Sequence, residues 1–474
     1  MGKRISSAFG WKFFERASVQ GTNFLVTLLL ARLLSPSEYG LVSIGMIFIT
    51  LATILVQGGF NTALIQKKNV SENDYQSILV FSELVAIVCY FFLFFSAPFI
   101  ERLYHSVGLC KLLRFLAIVL FPGAFNSVQV AYITRDLRFK VLTISSLISS
   151  IIAATVAIAM AINNFGVWAL VAQQLIYQTA TCIVTYCIIR WIPKGHFSVQ
   201  SMKQLVPFGS KVFASNFITA LFLDIRGLLI GQVYSSDALA FFNRGKQFPQ
   251  AVMESVNTTI QTVLLPVYSK KQDTLDSVTE MVSKTLRFSS LILFPMMIGL
   301  ASVAEPLVLI LLTEKWLPCV PYLRVFAVCY LFQTIQIPII QAFKGIGDSG
   351  TPLKLEIIKK CVEIILLFST IRIGVYPFAL SLIASSLFSQ ILNMIFAQRV
   401  IKYNVIRQMI DILPATVFSA LMGASILLIG SFISSAVARL FVGISAGIVI
   451  YCALCILFHV PEVQLIISFL NKRN

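Results

Sequence analysis

This sequence predicts an all-α polytopic membrane protein of about fourteen transmembrane helices. They are arranged as two six-helix lobes related by a parallel pseudo-twofold, with a C-terminal helix pair added. Three observations carry the prediction. The 474 residues are 58% hydrophobic and only 12% charged, with a mean hydropathy of +0.87, a composition outside the soluble range. Apolar runs matched to a hydrocarbon core of about 30 Å, which takes about 20 residues per helix, recur along the whole chain. Finally, AFGWKFF near the N-terminus returns as PFGSKVF near the middle, each time at the mouth of such a run.

Each apolar run is read as one helix. In order they extend from Phe9 to Leu33, Gly40 to Ile65, Ser77 to Phe99, Leu112 to Thr134, Val141 to Ile162, Phe165 to Ile189, Leu205 to Val233, Ala238 to Pro266, Leu286 to Ala304, Pro321 to Phe343, Leu353 to Ile371, Tyr376 to Val400, Ile410 to Phe432 and Ala436 to Phe458. The longest connections, such as Ala304 to Val320 and Trp191 to Gln204, hold about fifteen residues each and leave no room for a soluble domain. The first run follows Lys3 and Arg4 but is longer than a signal-peptide core. It ends in LARLLSPSEYG without a small-x-small cleavage pattern, so it is expected to stay as the first span.

A net charge of +17 raises the question of nucleic acid, and the distribution of Lys and Arg answers it. With the connections assigned alternately to two sides, one side holds Lys3, Arg4, Lys67, Lys68, Arg135, Arg138, Lys140, Arg190, Lys270, Lys271, Arg399, Lys402 and Arg407, among others. The other side holds Arg32, Arg102, Lys111, Lys315, Arg372 and Arg439. A bias of about three to one places both termini in the cytoplasm and requires an even number of spans. The charge is therefore read as topology, and no nucleic-acid partner is expected.

Cysteine and histidine carry no chemistry in this reading. Most of the nine cysteines, including Cys182, Cys187, Cys361, Cys452 and Cys455, fall inside apolar runs and read as small core residues. Cys452 and Cys455 have redox or metal spacing but no second pair or nearby His. His105, His196 and His459 are scattered among loops and ends, so neither a metal site nor a cofactor is expected. No Gly-x-x-x-x-Gly-Lys loop occurs, which argues against ATP hydrolysis by this chain.

The repeat continues beyond its opening. Phe9, Gly10, Lys12 and Phe14 match Phe208, Gly209, Lys211 and Phe213, and the same offset aligns Ser37-Glu38 with Ser236-Asp237. Gln66-Lys67-Lys68 then pairs with Ser269-Lys270-Lys271 after a small shift. Six spans separate the copies, an even number, so the halves share one membrane orientation. The expected lobes are residues 1–203 and 204–405, and residues 406–474 form an extra helix pair and a cytoplasmic C-terminus.

Two spans carry polar residues in helical register. In the first, Lys12, Arg16, Gln20, Asn23 and Thr27 share one face; in the eighth, Asn243, Gln247, Gln250, Glu254, Asn257 and Gln261 do. Polar groups in a span face a partner or a cavity rather than lipid. Hydrogen bonding between helices is the plainer account of such stripes. Arg244 and Lys246 flank the second stripe, and the seventh span adds Lys211, Asp224 and Arg226. Bases outnumber acids in this set, which favours an anionic ligand such as a phosphate or pyrophosphate. Lys12, Lys211 and Lys246 also suit an interface to which their amines snorkel. In the eleventh span Glu356, Lys359, Lys360 and Glu363 form two i,i+4 pairs and read as self-neutralising.

LLLARLLSPSEYGLVSIGMIFI, GGFNTALIQKKNVSENDY, YITRDLRFK, NFGVWALVAQQL, GLLIGQVYSSDALAFFNRGKQFPQ, LLPVYSKKQ and FPMMIGLASVAEPLVLILLTEKW occur in that order. The ordered set resembles the bacterial polysaccharide exporters and O-antigen flippases of the multidrug/oligosaccharidyl-lipid/polysaccharide superfamily, most nearly their Wzx-like branch. The resemblance implies a flippase that moves an undecaprenyl-diphosphate-linked oligosaccharide, a repeat unit of O-antigen, capsule or exopolysaccharide, outward by alternating access. Under it, Arg16, Arg226, Arg244 and Lys246 take the anionic head group, and Gln20, Asn23, Gln247, Gln250, Glu254 and Asn257 line the sugar path. Asp224 or Glu254 would couple transport to an ion gradient. A polysaccharide polymerase and a chain-length regulator are the implied protein partners. An ion-coupled drug exporter of the same superfamily is the alternative, and it would favour an acidic cavity. A membrane enzyme of polysaccharide assembly is another, and the sequence shows no sizeable outer loop or intramembrane catalytic His to support it.

Overall fold

The structure, a computed structural model, describes residues 21–462 except 23, 68, 137, 271–274, 347 and 349, with only the backbone given at 215, 223, 255–270 and 275. Among the described residues every regular element is helical. In order these are α1 (Phe24–Leu33), α2 (Pro36–Gln57), α3 (Phe60–Gln66), α4 (Glu72–Tyr104), α5 (Leu109–Leu116), α6 (Leu120–Arg135), α7 (Phe139–Ile162), α8 (Val167–Ile189), α9 (Val199–Val233) and α10 (Ser236–Lys270). There follow α11 (Leu275–Ser302), α12 (Ala304–Leu311), a 3₁₀ helix (Glu314–Cys319), α13 (Val320–Gly345), α14 (Gly350–Thr370), α15 (Val375–Val400), α16 (Val405–Ser431) and α17 (Ala436–Leu457).

Eleven stretches among these are long and apolar enough to cross a membrane, which makes this a multi-pass membrane protein. The count of about fourteen differs at three places. Helices α10 and α14 occupy the predicted eighth and eleventh spans over 35 and 21 residues, but polar and charged side chains lower their hydropathy. Of the predicted first span only α1 is described. Polarity accounts for the departures at α10 and α14, and most of the first span lies outside the described residues.

The described chain forms two compact units, one up to Ala240 and one from Phe241. This division lies inside α10, whereas the repeat divides the sequence at residue 204. Helix α9 packs on α2, α3 and α4, and the repeated motif is one cause. Between α2 and α3, Gly59 adopts φ +70°, and a Cβ there would stand 2.7 Å from the Gly209 carbonyl oxygen and 2.8 Å from the Phe213 amide nitrogen. Gly209 in turn leaves room for the Phe60 ring, whose Cδ1 would lie 2.5 Å from a Cβ at that position. The glycine of PFGSKVF is therefore a point of close backbone approach. Its N-terminal counterpart, Gly10, lies outside the described residues.

Small residues also seat α7 on α8. The buried face of α7 runs through Ser145, Ser146, Ser149, Ser150, Ala153, Ala154, Ala157 and Ala161, a stripe that lets two helices approach closely in lipid. At the Lys67 end of the unit, aromatic and charged groups fasten the connections. Lys67 Nζ reaches both oxygens of Asp74, at 2.9 and 2.8 Å, while Ser71 and Asp74 form a capping box at the start of α4. Arg135 donates to the carbonyls of Leu64 and Lys67. Trp191 stacks on Tyr132 at 4.0 Å, and its Nε1 donates to Glu72 at 3.3 Å.

In the second unit α11 packs on α13 and α16, and α16 packs on α17. A Cβ on Gly423 of α16 would meet Ile298 Cγ2 of α11 at 2.6 Å, so the final helix pair sits close against α11. A polar knot holds the other end of this contact. The Asp411 carboxylate, fully buried, accepts from Arg287 Nε at 2.8 Å and from Arg287 Nη2, Ser283 Oγ and the Tyr403 hydroxyl. Burial, reinforced by Asp411, holds the Tyr403 phenol above its ordinary pKa, so it remains a proton donor. Beside the knot, Leu291, Leu413, Phe418 and Phe458 help to line a cavity of about 450 Å³.

Two consequences can be measured by thermal unfolding in detergent. Gly59→Ala is expected to cost about 2–3 kcal/mol, from its positive φ and the blocked approach to Gly209 together. Gly108→Ala, with φ +92° but nothing within 4 Å of the added carbon, should cost only about 1 kcal/mol. Asp411→Ala is expected to cost about 3 kcal/mol, because it strips Arg287, Ser283 and Tyr403 of a shared acceptor.

Candidate functional site

The polar stripe of the eighth span lies on α10, and packing decides which of its side chains stay available. Gly245 presses against the start of α13, where a Cβ would come within 2.6 Å of Tyr322 Cβ and 2.8 Å of the Leu323 amide nitrogen. Phe242, Phe248 and Met253 are buried. The Phe242 ring meets Phe326 at 5.1 Å and Tyr322 at 6.0 Å, and Met253 Sδ lies 3.7 Å from Thr334 Oγ1. With one face of α10 committed to α13, Asn243 stays exposed and Lys246, Gln247, Gln250 and Glu254 stay half-buried along the other. Gln250 Nε2 donates to Glu254 Oε1 at 2.7 Å. The stripe thus offers amides, one amine and one carboxylate in a line, groups suited to a polyhydroxylated or anionic ligand.

Arg244 departs from the stripe. It is only 5% exposed, its guanidinium lies 4.9 Å over the Trp316 ring, and its Nη1 donates to Gln247 Oε1 at 2.6 Å. Trp316 is fully buried in the 3₁₀ helix Glu314–Cys319, edge-on to Phe241 at 6.0 Å. A desolvated Arg on a Trp face gains about 2 kcal/mol. Arg244 therefore meets the polar face through Gln247, whose amide it orients. Sequence reasoning missed Trp316, because nothing local links a tryptophan in the α12–α13 connection to an arginine on α10.

Asp224 and Arg226 lie on α9 in the first unit, half-buried and buried respectively. Two residues apart, they point to different sides of the helix. Arg16, Gln20 and Asn23 lie outside the described residues, as does the side chain of Asn257. The structure brings together Arg244 with Gln247 and Gln250 with Glu254.

A further intramembrane carboxylate is Glu83 on α4, half-buried. Nearby elements hold buried polar groups with no hydrogen-bond partner among the described residues, including both ends of the Gln129 amide and the hydroxyls of Ser82 and Thr185. An acid inside the third apolar run was visible in the sequence. It belongs to no periodic stripe, so helical period does not mark it.

Comparisons with known proteins agree with this architecture. Residues 29–321 match the family described as "Polysaccharide biosynthesis protein". The chain is 22% identical over 348 residues to the succinoglycan biosynthesis transport protein ExoT of Rhizobium meliloti (strain 1021), covering 73% of this chain and 70% of that one. It is 24% identical over 339 residues to the teichuronic acid biosynthesis protein TuaB of Bacillus subtilis (strain 168), covering 71% and 70%. It is 22% identical over 343 residues to the lipopolysaccharide biosynthesis protein WzxC of Escherichia coli (strain K12), covering 71% and 69%. Among solved structures, the lipid II flippase MurJ in an inward closed conformation has the same fold, with a TM-score of 0.76 at 16% identity over 96% of this chain and 99% of that one. An inward-facing MATE family multidrug resistance transporter follows with a TM-score of 0.59 at 14% identity, covering 81% and 94%.

The division of α10 into a packed and an open face predicts contrasting stability effects. Trp316→Ala should cost about 3–5 kcal/mol by emptying a filled core position and removing the ring on which Arg244 lies. Asn243→Ala, exposed on the other face, should stay within about 0.5 kcal/mol of the parent. Thermal unfolding of the two variants side by side checks both.

Proposed function

The chain belongs to the polysaccharide biosynthesis protein family, within its Wzx-like exporters, and from that premise we propose that it is a flippase for an undecaprenyl-diphosphate-linked oligosaccharide. A transport protein stands among its relatives, and a flippase and a multidrug resistance transporter stand among its structural neighbours. The substrate is a repeat unit of O-antigen, capsule or exopolysaccharide, taken from the cytoplasmic to the outer face of the inner membrane. Both termini are cytoplasmic, as the distribution of Lys and Arg favours. The sequence repeat supports alternating access by two six-helix halves, residues 1–203 and 204–405, with residues 406–474 as an added helix pair. A polysaccharide polymerase and a chain-length regulator are the expected partners.

The observation that carries this reading is the open polar face of α10. A helix long enough to cross the membrane, packed on α13 by one side, keeps Asn243, Lys246, Gln247, Gln250 and Glu254 along the other. Lipid would not tolerate that line, and sugar hydroxyls would match it. Arg16, Arg226, Arg244 and Lys246 supply positive charge for the diphosphate, and Gln20, Asn23 and Asn257 extend the sugar path. Because Trp316 and Gln247 fix Arg244, its part is to set a positive field and hold Gln247, with Lys246 making the direct contact.

Flipping of a fluorescent undecaprenyl-diphosphate oligosaccharide in proteoliposomes tests the reading. Lys246→Ala and Gln250→Ala should each slow transport about tenfold in folded protein, as loss of a hydrogen bond to a charged or strongly polar ligand predicts. Unaltered flipping in both variants would remove α10 from the path, and absence of lipid-linked glycan flipping in the wild type would return the drug-exporter alternative. Ion coupling is tested separately by Asp224→Asn, Glu254→Gln and Glu83→Gln. The coupling residue is the one whose neutralisation abolishes the response of transport to an uncoupler, and an unchanged response in all three combined would sink carboxylate coupling at these positions.

A further inference from the structure

Where α11 and α16 end, the first turns of α12, α13 and α17 gather around a cavity of about 170 Å³ whose lining includes Ser302, Glu305, Arg324, Ser431 and Arg439. Two guanidinium groups converge on it. Each is anchored by its Nε to a carbonyl at the end of a neighbouring helix. Arg324 donates to Ala301 O, in the last turn of α11, at 3.4 Å. Arg439 donates through Nε and Nη2 to Ile433 O, just past α16, at 3.4 and 3.2 Å.

Carbonyls at helix C-termini lack intrahelical partners and carry partial negative charge, so they hold basic side chains well. Arg324, held at Nε, keeps both Nη groups to offer, and Arg439, held at Nε and Nη2, keeps Nη1, in the planar arrangement that matches phosphate oxygens. The aliphatic part of Arg439 lies beside Gly430 of α16, where an added Cβ would stand 3.4 Å from its Cγ. One acid opposes the two bases. Glu305 Oε1 is 3.8 Å from Arg439 Nη1 and 56% exposed, too far for a hydrogen bond, so the three groups leave one positive charge. The cavity has the room of about six waters. A phosphate with its first ester carbons fits such a space, and an oligosaccharide does not.

We propose that this cavity is a phosphate-binding site, in which the Nη groups of Arg324 and Arg439 together hold a phosphate ester or free phosphate. Its residues are separate from the α10 stripe, and it stands independently of the transport reading. Under the proposed topology it opens at the outer end of the membrane, where lipid headgroups and dissolved phosphate both have access.

The test uses the purified full-length protein in detergent, titrated with phosphatidylglycerol, with diacylglycerol of the same chains, and with inorganic phosphate, with bound ligand read by native mass spectrometry. The site predicts saturable binding of phosphatidylglycerol, inorganic phosphate or both, and none of diacylglycerol. Phosphatidylglycerol binding without inorganic phosphate assigns a lipid source, and inorganic phosphate alone assigns a free one. Arg324→Ala and Arg439→Ala should each weaken binding about tenfold or more. Glu305→Gln, which leaves both arginines and their anchors in place, should tighten it about fivefold. The proposal fails if wild type binds neither phosphate probe, if diacylglycerol binds as well as phosphatidylglycerol, or if the double arginine variant binds as before. Should the arginine variants not fold, the Glu305→Gln result decides alone, and no gain in affinity overturns the site.

Discussion

Hydrocarbon offers no hydrogen-bond partner, so every polar group placed in it must be satisfied inside the protein or face something polar. That constraint shapes the backbone first, and each described element is helical. It then shapes the helix contacts. Without a hydrophobic force between helices in lipid, close van der Waals approach has to supply the attraction, and small residues stand where helices meet. The Ser and Ala face of α7 on α8, Gly209 against Gly59 and Phe60, Gly245 on α13 and Gly423 on α11 are instances of one solution.

The same constraint sorts the intramembrane polar residues into two kinds. Asp411 belongs to the first: Arg287, Ser283 and Tyr403 surround it, and a satisfied knot of this sort fixes one helix against another. The stripe on α10 belongs to the second. Gln250 donates to Glu254 one turn on, the stripe's side chains keep part of their surface exposed, and Phe242, Met253 and Gly245 fill another face of the helix. Arg244 joins the two kinds, since it is buried on Trp316 while its Nη1 holds Gln247.

The final helix pair illustrates how fold and sequence similarity differ in reach. The family match ends at residue 321, before α14 to α17, whereas the likeness of fold to MurJ covers 96% of the chain. Helices α16 and α17 are bound to the rest of their unit by contacts that tolerate many sequences, namely apolar packing around Met422, Ile426 and Leu440. A few specific fastenings stand near the two ends, Asp411 with Arg287 at one and Arg439 near Glu305 at the other. Apolar positions drift under substitution as long as volume is kept, so the architecture persists after the residue pattern has faded.

The sequence by itself determined the all-helical membrane class, the positions of nearly all the helices and the family, because hydropathy over about 20 residues is a sum that needs no knowledge of neighbours. It also showed the stripe on α10 as a periodic line, and the repeated Phe-Gly-x-Lys motif as a repeat. Tertiary structure alone decided what those features do. Gly209 became a contact for Phe60, Arg244 turned into the core because Trp316 from a distant connection was there to receive it, and α9 joined the first unit. Glu83 and the arginines beside Glu305 follow no period, so only their placement gave them meaning. A helix face is polar or apolar from its own residues, but whether it is filled or open depends on which partner packs against it, and that is a property of pairs of segments far apart in the chain.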